Sequence, residues 1–180
     1  MGQKQALLEE LDTLPSDPYK GTWDFSTSGR QLESIEQLNR TGTPQEVDIS
    51  VWRLEIKGTG VPRPLLLSYE ELSRMPRIKA APLLICPGVF EDLAEWEGIA
   101  LKALLERAGA SASWTELVVT SIDRYPAVFS REEIDGHLML IALMVNGQIL
   151  PQEHGFPARL VAERILGGRW VKWIASIELR

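Results

Sequence analysis

One thiol and a cluster of basic side chains are the residues of this 180-residue chain best suited to chemistry. Cys86 is the only cysteine; it closes an apolar run, Ile78 to Cys86, and is followed by Pro87 and Gly88. A strand ending there would carry the sulfur to a loop and hold it still from behind. A cysteine in an apolar strand is by default a small buried hydrophobe. At a strand end it is also, once deprotonated, a soft donor for a metal. A single thiolate holds neither zinc nor an iron–sulfur cluster, and His137 and His154 complete no recognisable ligand spacing. A metal on Cys86 would therefore take its other ligands from a prosthetic group. The competing chemistry is a nucleophilic Cys86 with His154 as base, and no local hydrolase signature accompanies it.

His154, Arg159, Arg164, Arg169 and Lys172 follow one another closely, interleaved with Gly155, Gly167 and Gly168. Glycines let backbone amides approach a ligand, and arginines present forked donors to phosphate or to a flat heteroatom edge. The plainer reading is a solvated face of two strands.

The elements that must position these groups are short. Trp52, Leu54 and Ile56 alternate with Arg53, Glu55 and Lys57, the period of a half-buried strand, which Gly58 and Gly60 end. Leu65–Leu67, Ile78–Cys86, Leu117–Ile122, Leu138–Val145, Arg159–Ala162 and Trp170–Leu179 read as further strands, with Asn146–Gly147 as a tight turn. Ser68 with Glu71 and Ser130 with Glu133 have capping-box spacing and each open a short helix. Leu101–Ala108 is helical by period, with Gly109 just past its end. Many short strands with interspersed short helices indicate an α+β fold with mixed or antiparallel sheets. Before Val47 the pattern is weak: an amphipathic helix over Ala6–Leu14, then a turn-rich stretch from Pro15 to Arg30. Residues 1–46 are expected to form an arm over a single domain spanning 47–180.

Apolar residues make up 44% and charged residues 24%, the balance of a globular chain long enough for a real core. A net charge of −6 argues against broad nucleic-acid binding. Acidic residues prevail before position 50 and basic ones after 150, which points to a local anion site. No apolar run is long enough to span a membrane, and the start has no signal-peptide pattern. As it stands the sequence reads as cytoplasmic, or as exported if a leader has been removed. No internal repeat, P-loop or dinucleotide glycine fingerprint is present.

The order of residues carries a family resemblance. His154-Gly155-Phe156-Pro157-Ala158-Arg159 resembles the His-Gly-Phe-Pro-x-Arg run of sulfite oxidases and plant nitrate reductases. Gly167, Arg169, Val171, Lys172 and Trp173 are similar to the Gly-x-Arg-x-Val-Lys-Trp run that follows it. Met144 to Gln148 with Leu150 and Pro151, Trp52 to Gly58, Cys86 with Gly88, and Trp96 to Leu105 resemble further family segments. The likeness extends over roughly residues 38–180.

That resemblance implies a sulfite oxidase-like fold and a molybdopterin cofactor, with molybdenum (or tungsten) held by the pterin dithiolene, by oxo or hydroxo groups and by Cys86. Arg40, Asp123, His154, Arg159, Gly168, Arg169 and Lys172 would bind the cofactor, and Asp123 and Tyr125 would join Cys86 at the reaction centre. The chemistry would be oxygen-atom transfer on a small-molecule substrate, with a cytochrome, haem or quinone-linked electron-transfer partner. Departures bear on substrate. Sulfite oxidases follow the cysteine with Asn-Arg-Arg, where this chain has Val89, Phe90, Glu91 and Asp92. Two acids at the mouth would repel an anion, so a neutral or cationic substrate is expected. Thr41, Gly42 and Thr43 replace an Asn or His of the family, and Ala162 with Glu163 a proline. The chain stops at Arg180, without the dimerisation domain of sulfite oxidases. The rival readings are an inactive fold relative that serves as a binding module, and the cysteine hydrolase above.

Overall fold

The structure, a computed structural model, describes residues 22–180; the helix expected over Ala6–Leu14 lies outside the described residues. Elements run β1 (Leu54–Gly58), β2 (Leu65–Leu67), α1 (Tyr69–Ser73), β3 (Ile78–Ala80), β4 (Leu83–Cys86), β5 (Phe90–Leu93), β6 (Trp96–Ala100) and α2 (Leu101–Arg107). Then come β7 (Glu116–Ser121), β8 (Pro126–Ser130), α3 (Arg131–Gly136), β9 (Met139–Val145), β10 (Gln148–Ile149), β11 (Arg159–Ala162) and β12 (Ile174–Leu179). Two 3-10 turns, Gln152–His154 and Gly167–Arg169, punctuate the last third.

One sheet has the order β2-β1-β12-β7-β8; a second runs β10-β9-β6-β3 with β11 also on β9; β4 and β5 form a separate hairpin. Among the described residues only the β1–β12 pairing is parallel, so the architecture is the expected α+β with mixed sheets. One apolar cluster is shared by both large sheets, with Leu54, Ile56, Phe129 and Ile177 from the first and Ile99, Leu140, Ile141 and Leu160 from the second. Both capping boxes form. Ser68 N and Ser130 N donate to Glu71 Oε2 (2.8 Å) and Glu133 Oε2 (2.9 Å), while the Glu71 and Glu133 amides donate back to the serine hydroxyls.

Several strands differ from expectation. The run Ile78–Cys86 is two strands, because Pro82 has no amide to continue a ladder. Its first half joins β6 and its second half pairs with β5. Strand β12 begins at Ile174, not Trp170, because Trp173 takes the left-handed conformation (φ +51°), which breaks an extended run. Strands β5, β6 and β8 go beyond the sequence expectation: acidic residues or a glycine interrupt the apolar pattern of β5 and β6, and β8 is a short segment that begins at Pro126.

The segment before β1 carries no helix or strand among its described residues, yet it is tied down. Trp23 and Phe25 pack on Leu83, Ile85 and Leu93. Glu33 exchanges two hydrogen bonds with Leu93, and Leu38 is buried in the main core.

Strands β6 and β9 come together at Gly98, where a Cβ would lie 2.0 Å from Ile141 O and 2.6 Å from Ala142 Cα. The obstacle is backbone and has little room to yield. Gly98→Ala is expected to lower stability by about 2–3 kcal/mol. The check is a urea midpoint, and a midpoint within error of wild type would contradict the close approach.

Candidate functional site

The β4–β5 hairpin delivers Cys86 to a wall formed by the Gly167–Arg169 turn. A Cβ on Gly167 would lie 2.7 Å from Cys86 Sγ and 2.6 Å from Leu84 Cδ1, so glycine there lets the turn lie against the sulfur. The turn is held from two sides. The Tyr125 hydroxyl donates to Gly168 O at 2.6 Å. Arg169 forms a fork on Glu133 (2.6 and 2.9 Å), also donates to Val128 O, and stacks over Phe129 at 4.3 Å. Arg169, expected to bind cofactor, thus has its guanidinium committed to helix α3 and strand β8. Glu133 beside it is held below the usual carboxylate range chiefly by that hydrogen-bonded pair.

Behind the sulfur lies a basic pair. Arg159, the first residue of β11, is 6% exposed and forms no ion pair among the described residues. Its Nη1 donates to His154 O at 3.2 Å and its Nε has no partner. Its guanidinium lies 4.9 Å from the Trp96 ring centre and 5.9 Å from that of Trp170. Burial pulls its pKa down to about 10, against the countervailing pull of Cys86 and Asp92. Lys172 Nζ donates to Thr41 O and to Glu153 O (3.1 Å) and sits 4.5 Å over the Trp173 ring. Burial, then repulsion from Arg159, lowers its pKa to about 8.

His154 is buried, its Nε2 is without a partner, and desolvation followed by Arg159 depresses its pKa. Gly155 (φ +116°) is where the two basic stems meet: a Cβ there would be 3.1 Å from both Arg159 Cβ and Lys172 Cβ. Cys86 is half-buried. Desolvation raises its pKa, and the two cations work against that rise.

Beside Lys172 and the glycine turn opens a cavity of about 270 Å³ lined by Gly167, Gly168, Lys172, Trp173, Asp123 and Tyr125, and by Thr41 and Gly42 from the segment before β1. Asp123 accepts a hydrogen bond from Ser121 Oγ, which in turn accepts from Tyr125 N at 2.8 Å. Arg40 stands outside, 59% exposed, 3.6 Å from Glu153. The structure thus gathers Cys86, His154, Arg159 and Lys172 with Gly168, Asp123 and Tyr125; it leaves Arg40 at the rim and Arg169 turned to α3.

The two acids after the cysteine are not at the mouth, which corrects the basis of the charge expectation. In the hairpin register Glu91 opposes Ile85, so it points away from the face of Cys86, and it pairs with Arg30 at 2.6 Å. Asp92 opposes Leu84 on the Cys86 face but is 3% exposed and bonded to Asn39. The hydrolase alternative loses its pair: no hydrogen bond joins His154 to Cys86 among the described residues, and His154 Nε2 is unpartnered. Sequence reasoning also missed Trp96 and Trp170 around Arg159, and Thr41 O under Lys172. Each joins residues far apart in sequence, and no local pattern marks such a pairing.

The donor set fits a bulky anionic group bound to sulfur. It offers one thiol, a buried and a half-buried cation with no ion pair among the described residues, and two orphaned nitrogens. No three His, Cys, Asp or Glu among the described residues could hold a metal unaided.

Comparison with known proteins agrees with this reading. The family described as oxidoreductase molybdopterin binding domain matches residues 40–180. The uncharacterized oxidoreductase YuiH of Bacillus subtilis (strain 168) is 25% identical over 81% of this chain and 73% of its own. Mitochondrial sulfite oxidase of Homo sapiens is 28% identical over 74% of this chain, and an NADH nitrate reductase of Brassica napus 29% over 79%. The chain spans 30% and 19% of the lengths of those two. The crystal structure of the sulfane dehydrogenase SoxCD from Paracoccus pantotrophus superposes with a TM-score of 0.70, at 26% identity, over 76% of this chain and 40% of that one. With residues 40–180 matched, from Arg40 through the last strand, the chain belongs to the oxidoreductase molybdopterin-binding domain family.

Proposed function

We propose that the chain holds a molybdenum–molybdopterin group in the cavity beside Cys86 and transfers an oxygen atom to or from a small substrate. The observation that carries this reading is a single thiol packed against Gly167 of the cavity wall, with a buried and a half-buried cation near it that form no ion pair among the described residues. Cys86 would be the one protein ligand to the metal. Arg159, Lys172 and His154 Nε2 would hold phosphate and pterin edges, with Gly168 offering backbone, Asp123 and Tyr125 the far wall, and Arg40 the rim. Arg169, through Glu133, would keep the glycine turn in place.

When bound, the group supplies the two-electron change that oxygen-atom transfer needs. The residues orient it. Cys86 must lose its proton to become a ligand, and the adjacent cations favour that loss against desolvation. Trp170 and Trp173, both largely buried, line the cavity with apolar ring surface. The two electrons would pass to or from a separate cytochrome, haem or quinone-linked partner. No helix among the described residues is long and apolar enough to cross a membrane. Residues 47–180 would be the binding unit and the preceding segment its cover.

Metal analysis of protein made in a host with an intact molybdopterin pathway tests the reading directly. Molybdenum near one per chain is expected, and absence of metal and pterin would instead mark a binding module that has lost the cofactor. Cys86→Ala should abolish sulfur-to-metal absorption in the visible region and turnover while the fold persists. A variant that keeps both would remove Cys86 as ligand.

Substrate charge is read from the surface beside the sulfur. The hairpin tip is Pro87, Gly88 and Val89, with Val89 77% exposed and no basic side chain in the tip. A neutral sulfoxide or N-oxide needs no cationic clamp, whereas sulfite does. The loaded enzyme is expected to show a higher kcat/KM for a neutral oxo donor than for sulfite. Faster sulfite oxidation, falling as added salt screens attraction, would overturn this.

The lowered pKa of Lys172 gives a pH signature for the cofactor-free protein. Below about 8 folded and unfolded chains both carry the proton, so the full desolvation cost is present. From about 8 towards 10.5 the folded protein has released it while the unfolded chain has not. The unfolded state then binds more protons, and stability rises with pH. Lys172 is part-exposed, so solvent screening leaves a rise of about 1 kcal/mol. Lys172→Met should flatten this rise in urea titrations, and an unchanged slope would contradict it.

A further inference from the structure

Asp92 is a buried acid that the proposed chemistry does not use. Its side chain shares the hairpin face with Leu84, Cys86 and Phe90 and is 3% exposed. Both its oxygens are taken by one residue of the arm: Oδ2 accepts from Asn39 N at 2.8 Å and Oδ1 from Asn39 Nδ2 at 2.6 Å. A carboxylate that is desolvated and doubly bonded in this way is a fixed point, because freeing it would strand a buried charge.

The segment that Asn39 begins lines the cavity. Leu38, just before it, is buried in the main core. Thr41 O accepts from Lys172 Nζ, Gly42 lies against the Trp173 ring with a Cβ-to-ring distance of 3.5 Å, and Thr41 and Gly42 line the cavity itself. Beyond them Gln45 O accepts from Gln152 Nε2 at 3.0 Å. Residues 39–42 are thus a strap with one end on Asp92 and the other on the 152–173 region, and the ammonium of Lys172 is bonded to its middle. Asp92 also lies in the field of Arg159 and Cys86, as the only acid on that face of the hairpin.

We propose that Asp92 is a positioning residue for the cofactor site: through Asn39 it holds the strap 39–42 along the cavity and so fixes where Lys172 presents its charge. This rests on the reading of the cavity as the molybdopterin site. Asp92 touches neither cofactor nor substrate; it acts through Asn39, Thr41 and Lys172. The strap and the glycine turn both line the cavity, and each is tied to a carboxylate, the turn to Glu133 through Arg169 and the strap to Asp92 through Asn39.

The test has two arms on the full chain. In the cofactor-free protein, amide hydrogen exchange of peptides covering residues 39–42 is compared for wild type, Asn39→Ala, Asp92→Asn and the double variant. Each single change should speed strap exchange about tenfold or more, the loss of one charge-assisted hydrogen bond. The double variant should be within about twofold of the faster single one, as expected of residues acting in series. In the loaded protein, the rate of molybdopterin release is followed by fluorescence after oxidation. The same variants should release it faster than wild type, and in a Lys172→Met background they should add nothing to the rate of Lys172→Met alone.

A merely structural weakening would speed release in both backgrounds. Should Asp92→Asn not fold, Asn39→Ala alone carries both arms, since Asn39 is exposed. Unchanged strap exchange in Asn39→Ala, or release rates that add to those of Lys172→Met, would overturn the inference while leaving the proposed function intact. Wild-type protein that takes up no molybdopterin would remove the proposed function, and with it this role, even with strap exchange as expected.

Discussion

Arg159 carries a positive charge into the interior, and the site is arranged around what that burial demands. A guanidinium out of water and without an ion pair is costly unless neighbouring dipoles and charges replace its solvation. Here the replacements are partial: the faces of Trp96 and Trp170, the carbonyl of His154, and more distant attraction to Asp92 and Cys86. Lys172 adds a second cation close enough to repel it. The protein thus stores a local excess of positive charge behind one thiol. An anionic group placed close to these cations would offset part of that cost by direct attraction.

The framework that tolerates this excess is built from backbone features that place side chains closely. Gly155 lets the stems of Arg159 and Lys172 converge, Gly167 lets a turn rest on sulfur, and the left-handed Trp173 ends the cavity wall where β12 begins. None of these residues has the chemistry of the site. They decide instead which functional groups face one another.

Local patterns are legible in the sequence and distant partnerships are not. Capping boxes at Ser68 and Ser130 are complete within four residues each, so their chemistry is visible in the order of side chains. The turn after Cys86 and the basic run from His154 to Lys172 are legible for the same reason. Glu91 and Asp92 are adjacent in sequence and suggest a pair at the mouth, but they belong to a strand whose alternation sends one to each face. The tie between Asn39 and Asp92 spans 53 positions, and that between Lys172 and Thr41 spans 131. Such contacts depend on how sheets and arm pack, and no period within either segment encodes them.

Glu133 has two duties that are usually separate. One carboxylate accepts the Ser130 amide as part of a helix cap and also accepts the fork of Arg169 from 36 positions away. The cap settles the rotamer of Glu133 by contacts between neighbours in sequence. Its long, flexible side chain has therefore already surrendered its conformational freedom when the guanidinium docks, and the ion pair must order one side chain instead of two. For a part-exposed pair, where entropy usually cancels most of the Coulomb attraction, this is what makes the clasp on the Gly167–Arg169 turn worth having. A surface salt bridge becomes a structural rivet because a helix start has preorganised half of it.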